Sequence, residues 1–166
     1  SKLIANEGGK PIRDARVEVT RAVGGINIAI TEIQSIKGFK VPMDLSAAGA
    51  GRKAFTILEP IGLVVAVSAF NHPLNLAIHQ VIPAIAAGCP VIIKPAAITP
   101  LSTLRLAELI LQAGLPEGWV QVALTNRENS EKLVTDSRVA FFSFIGSAKV
   151  GWYLKSKLAP GTRCAL

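Results

Sequence analysis

Residues 62–94, GLVVAVSAFNHPLNLAIHQVIPAIAAGCPVIIK, decide the fold. Two runs rich in β-branched residues, GLVVAV and PVIIK, flank a stretch from Leu74 to Ala87 that reads as a helix. Strands joined through a helix run parallel, and strands that are apolar at nearly every position suit a sheet covered on both faces. The alternation repeats downstream: a helix from Leu101 to Ala113, the strand VQVAL, a short helix from Asn129 to Asp136, the strand VAFFSF, a helix from Ala148 to Leu158 and a last strand, TRCAL. Upstream, AFTIL from residue 54 reads as a further strand. Thr99 before Pro100 predicts an N-cap with a first-turn proline, and Gly114 before Pro116 predicts a stop. The expected class is three-layer α/β.

Residues 1–36 carry apolar positions at helical spacing, Ile12, Ala15, Val19, Ala22 and Val23 among them, and predict two amphipathic helices divided at Gly8, Gly9 and Pro11. DLSAAGAGRK, residues 44–53, is small, polar and glycine-rich, which predicts a mobile loop. The expected plan is N-terminal helices and linker over 1–53, then an α/β domain over 54–166.

Half the residues are apolar and the mean hydropathy is +0.43, so either the core is large or a surface awaits a partner. The longest apolar stretches are interrupted by proline or polar residues and fall short of the roughly 20 residues that a membrane-spanning helix needs. SKLIANEGG has no apolar core followed by a small-residue cleavage site, so no secretory signal is read and a cytoplasmic location is expected. Cys89 and Cys164 lie far apart with no metal-ligand spacing, which predicts two reduced thiols and no metal site. With 18 Lys and Arg against 11 Asp and Glu, the chain favours anionic partners, a phosphorylated cofactor among them. The basic residues are scattered and no aromatics are interleaved with them, so a nucleic-acid surface is not expected.

Ligands of open parallel sheets sit at the carboxyl ends of the strands. There, SAFNHPLN places Asn71 on a tight turn, where its amide can donate to a developing oxyanion or cap the next helix. Lys94 ends a strand just before Pro95, where it can reach a ribose or phosphate or stand in solvent. In IGSAKVG, Gly146 and Ser147 open a helix whose first N–H groups can hold a phosphate or simply begin the helix. The loop is neither a GxGxxG fingerprint nor a P-loop.

Five blocks in this order, EGGKPIRDARVEV, EPIGLVVAVSAFNHPLN, PAIAAGCPVIIKPAAITPLS, QAGLPEGWVQV and FSFIGSAKVG, resemble the aldehyde dehydrogenase superfamily from about Glu7 to Leu166. The resemblance implies a Rossmann-like sheet that binds NAD or NADP, and a complete protein that oxidises an aldehyde through a cysteine thiohemiacetal and associates as a homo-oligomer. Position by position it makes Asn71 the oxyanion donor and Lys94 the ribose ligand. It makes Gly146 and Ser147 the pyrophosphate contact, and it sets Ser68, Phe70 and Val150 around the nucleotide. Ala97 stands where NAD-preferring relatives often have a glutamate, so a 2′-phosphate would meet less repulsion. Gln80 stands where a lysine is common, and Ile145 where a threonine usually touches the nicotinamide. FNHPLN resembles the variant of relatives that act on small hydroxy- or phosphono-aldehydes and semialdehydes. TRCAL resembles the strand that leads into the general-base glutamate, and no segment resembles the surroundings of the nucleophilic cysteine. The expectation is a cofactor-binding half, inactive alone; the alternative is a nucleotide-binding or scaffolding module without chemistry.

Overall fold

The computed structural model describes residues 1–166. Two helices, α1 (Lys2–Gly8) and α2 (Ile12–Ile33), precede a two-stranded antiparallel ribbon of β1 (Lys40–Val41) and β2 (Ala54–Phe55). Then follow β3 (Leu63–Val67), α3 (Pro73–Ala86), β4 (Val91–Lys94), α4 (Leu101–Gln112) and β5 (Val120–Val122). The chain continues through α5 (Arg127–Thr135), β6 (Val139–Phe144), α6 (Ala148–Lys155) and β7 (Arg163–Ala165).

The expected α/β sheet is present: β5-β4-β3-β6-β7 in spatial order, every pair parallel. Counted within the sheet this is the doubly wound order 3-2-1-4-5, in which successive strands grow outward in opposite directions from the β3–β6 seam. A ligand crevice therefore belongs at the carboxyl ends of β3 and β6.

Alternation along β3 explains the layers, because successive side chains leave opposite faces of a strand. Val64 and Ala66 join Ile93, Ala77, Val81 and Leu106 in the core beneath α2, α3 and α4. Val65 points the other way and packs with Phe142, Val134 and Leu154 beneath α5 and α6. A register shift between Leu63 and Val64 skips Ala140, which lets Val139 share a face with Phe142 and Phe144. Ala22 of α2 lies in the first of these cores, so the N-terminal helices are part of the packing over the sheet. None of the helices is long and apolar enough to cross a membrane.

Several sequence expectations need correction. AFTIL is not a strand of the main sheet: Ala54–Phe55 alone pair, with Lys40–Val41, and Pro60 and Gly62 then intervene before β3 begins. Thr99 does not cap α4; its hydroxyl is buried without a partner, and the carboxylate of Glu7 receives the helix's first amides instead. On α2, Ile12 and Val23 are exposed, and the buried stripe is Ala15, Glu18 and Ala22. The helix expected from Asn129 begins two residues earlier, because the Asn126 side chain accepts from the Asn129 N–H at 2.9 Å.

Candidate active site

Lys94, Val67 and Phe144 stand in one row across β4, β3 and β6. Adjacent strands are about 4.8 Å apart, so the row spans roughly 10 Å at the carboxyl edge. The ladder runs one residue past the strands: Ser68 N–H donates to Lys94 O at 3.0 Å and Ile145 N–H to Val67 O at 2.9 Å. Both loops thus leave the sheet at fixed registers.

Beside this row lies a cavity of about 280 Å³ whose walls include Lys94, Ala97, Arg127, Glu131, Val150 and Tyr153. Three of these, Lys94, Ala97 and Val150, are residues expected from the sequence to meet a nucleotide. The acid in the wall is already engaged: Glu131 accepts from the Tyr153 hydroxyl at 2.9 Å and pairs with the Lys157 ammonium. Lys157 above all, then Tyr153, holds the Glu131 carboxyl below the usual carboxylate range. Lys94 and Arg127 make no side-chain hydrogen bond or ion pair with protein. With the acid spent and two cations unspent, the cavity is matched to an anion.

Gly146 and Ser147 lie exposed at the start of α6, where the Ser147 side chain makes no capping bond. The turn rests on the Phe144 ring. A Cβ added at Gly146 would meet Phe144 Cζ at 2.6 Å, and one at Gly151 would meet ring carbons at 3.0 Å. Absence of side chains at these two positions is what seats the helix over the end of β6.

Asn71 is exposed on the β3–α3 turn with Phe70, itself 58% exposed, beside it. The capping role left open for Asn71 is filled by another residue: Glu18 Oε1 accepts from Leu74 N–H at 2.9 Å and from Asn75 N–H at 3.1 Å. The Asn71 amide makes no hydrogen bond within the chain. Ser68 is buried, 6% exposed, with its hydroxyl unpartnered.

Sequence reading missed Arg127 and Tyr153, which reach the cavity from α5 and α6. Arg127 carried a signal, being a basic residue shortly beyond the carboxyl end of a strand, five residues past Val122; Tyr153 carried none. Cys89 is buried, and Cys164 lies half-buried in β7 in register with Phe142.

A doubly wound sheet whose carboxyl edge presents unspent cations and an uncapped helix defines a module suited to a phosphorylated nucleotide. The chain belongs to the aldehyde dehydrogenase family, whose model matches residues 1–166. It is 42% identical over 158 residues to the 3-sulfolactaldehyde dehydrogenase of Priestia aryabhattai, an alignment covering 95% of this chain and 33% of that protein. Aldehyde dehydrogenase 21 from Physcomitrella patens, solved with the reaction product succinate, superposes with a TM-score of 0.93 at 40% identity, covering 98% of this chain and 34% of that one. The glyceraldehyde-3-phosphate dehydrogenase GapN of Methanocaldococcus jannaschii, solved with NADP, gives 0.90 at 35% identity, covering 99% and 36%. The chain spans about a third of the length of these relatives.

Proposed function

We propose that this chain forms the NAD- or NADP-binding part of an aldehyde dehydrogenase that oxidises a small aldehyde to its carboxylic acid. The observation that carries the reading is the pairing of the unspent Lys94 and Arg127 with the uncapped N-terminus of α6 at one end of the β3–β6 seam. The bound nicotinamide supplies the hydride acceptor. Lys94 holds the adenosine ribose, and the first N–H groups of α6 with Gly146 and Ser147 hold the pyrophosphate, the helix dipole adding to each hydrogen bond. Ser68, Phe70 and Val150 line the nucleotide's path. Asn71 donates its amide to the oxygen that gains charge when the aldehyde is attacked. In this reading neither the buried Cys89 nor Cys164 of β7 is the attacking thiol, and the nucleophile and general base are assigned to other parts of the whole protein.

Ala97 puts no carboxylate opposite the ribose, and Arg127 adds a cation to the same wall, which together favour a 2′-phosphorylated cofactor. The substrate is a small aldehyde bearing an anionic group, a reading supported by FNHPLN and by the sulfolactaldehyde and succinate chemistry in the names of the relatives above. Calorimetric titration of the intact protein with NAD and with NADP tests the reading. Saturable one-to-one binding of either, weakened by Lys94→Met, supports it; no heat from either nucleotide with a cooperatively folded sample removes it.

A further inference from the structure

The carboxylate of Glu18 is 1% exposed, yet it sits on the stripe of α2 that faces the protein interior between Ala15 and Ala22. A buried charge persists only when paired and fully hydrogen-bonded, and these partners are all present. Oε1 accepts from the backbone N–H groups of Leu74 and Asn75. Oε2 lies 2.6 Å from the Lys10 ammonium. Lys10 in turn reaches His72 Nδ1 at 3.1 Å, and since an ammonium only donates, Nδ1 accepts. The same Oε2 is 3.6 Å from that nitrogen.

Every one of these partners belongs to, or touches, the turn that carries Asn71. His72 follows it directly, Pro73 begins α3, and Leu74 and Asn75 form its first turn. The backbone has no capping bond of its own there, since the His72 side chain makes none. Without Glu18 these amides would be left to the polar side chains of the turn itself, Asn71 and the N-cap residue His72. With Glu18 the amides are satisfied from outside the segment and the Asn71 amide stays free at the sheet's carboxyl edge.

The geometry points to Glu18, neutralised by Lys10, as the positioning residue of Asn71: a carboxylate lent by α2 that fixes the β3–α3 turn and keeps the oxyanion donor out of the cap. The inference rests on the proposed role of Asn71. A role limited to holding the fold would show only in stability, whereas positioning shows in turnover and only while Asn71 is present.

The test is a double-mutant cycle in the intact protein. Glu18→Gln keeps an acceptor for both amides but sets an NH2 group against the Lys10 ammonium. It is expected to lower kcat about tenfold, leave cofactor Kd within about twofold, and have no further effect on kcat in the Asn71→Ala background. An equal loss of kcat with and without Asn71, or a loss confined to cofactor affinity, overturns the proposal. Should Glu18→Gln fail to fold, Lys10→Met keeps both N–H bonds and strips the neutralising charge; a smaller loss with the same dependence on Asn71 is expected, and equal losses in both backgrounds overturn it. If Asn71→Ala itself leaves kcat unchanged, the oxyanion role is what fails. Hydrogen exchange then decides for Glu18: unchanged exchange at Leu74 and Asn75 in Glu18→Ala, which removes the acceptor of both amides, takes away its hold on the turn.

Discussion

Helices α3 and α6 both start at the carboxyl edge of the β3–β6 seam, and both point the positive end of their dipole toward the crevice, yet the chain treats them oppositely. The first amides of α3 are closed by Glu18, those of α4 by Glu7 at 2.7 and 3.0 Å, and α5 is closed by Asn126. Of the four helices that follow strands of the main sheet, only α6 begins without a side-chain acceptor. An anion at a helix N-terminus is favourable whether it comes from the protein or from a ligand. The protein supplies its own where a helix serves as scaffold and withholds it where, on the proposed reading, a pyrophosphate belongs. The turn leading into α6 has a glycine where a Cβ would strike the Phe144 ring, which lets it close down on the end of β6.

The largest expected effect strikes the closed side. Asn71→Ala in the intact protein is expected to lower kcat about 100- to 1,000-fold with cofactor Kd unchanged, since in the role proposed for it the amide acts only on charge developing in the reaction; steady-state kinetics beside calorimetry check the split. On the open side, Lys94→Met should weaken binding of both NAD and NADP about 10- to 100-fold, as loss of a charge-assisted hydrogen bond does. If it leaves Kd untouched, the distinction between the two helices loses its meaning. Arg127→Gln sharpens the contrast: it should weaken NADP about fivefold and NAD by less than twofold, because an exposed cation contributes modestly and chiefly to a phosphomonoester. The smallest effect is a pH dependence. Glu131 has its carboxyl held below the usual carboxylate range by Lys157 and Tyr153, so its contribution to stability is complete above that range and is lost as pH falls through the lowered value. The difference in urea midpoint between the unaltered protein and Glu131→Gln should therefore shrink as pH drops from 7 to about 3.

The doubly wound sheet was legible because β3, β4 and β6 are apolar on both faces and the helices between them are periodic, two local signals that agree. AFTIL misled because β-branched residues favour extended backbone without saying which partner it finds. The two carboxylate caps were hidden by separation: Glu18 acts 56 residues from Leu74 and Glu7 acts 94 residues from Leu101. Only Glu18 left a trace, an acid at i+3 from Ala15 and i−4 from Ala22 on a stripe that packing requires to be buried. Residues on the strand ends, Asn71, Lys94 and Gly146, could be located from topology and given roles by resemblance. Arg127 and Tyr153 could not, because which helix faces bound the cavity depends on how α5 and α6 settle over the sheet.

Gln80 ties the same seam together from the side of α3. Its Nε2 lies 3.2 Å from Val67 O, 3.1 Å from Ser143 O and 3.0 Å from Ser143 Oγ, so one carboxamide spans the ends of β3 and β6. A lysine in that place would bring a buried proton able to depart as the medium turns alkaline. An amide has none to lose, so this tie between β3 and β6 does not titrate.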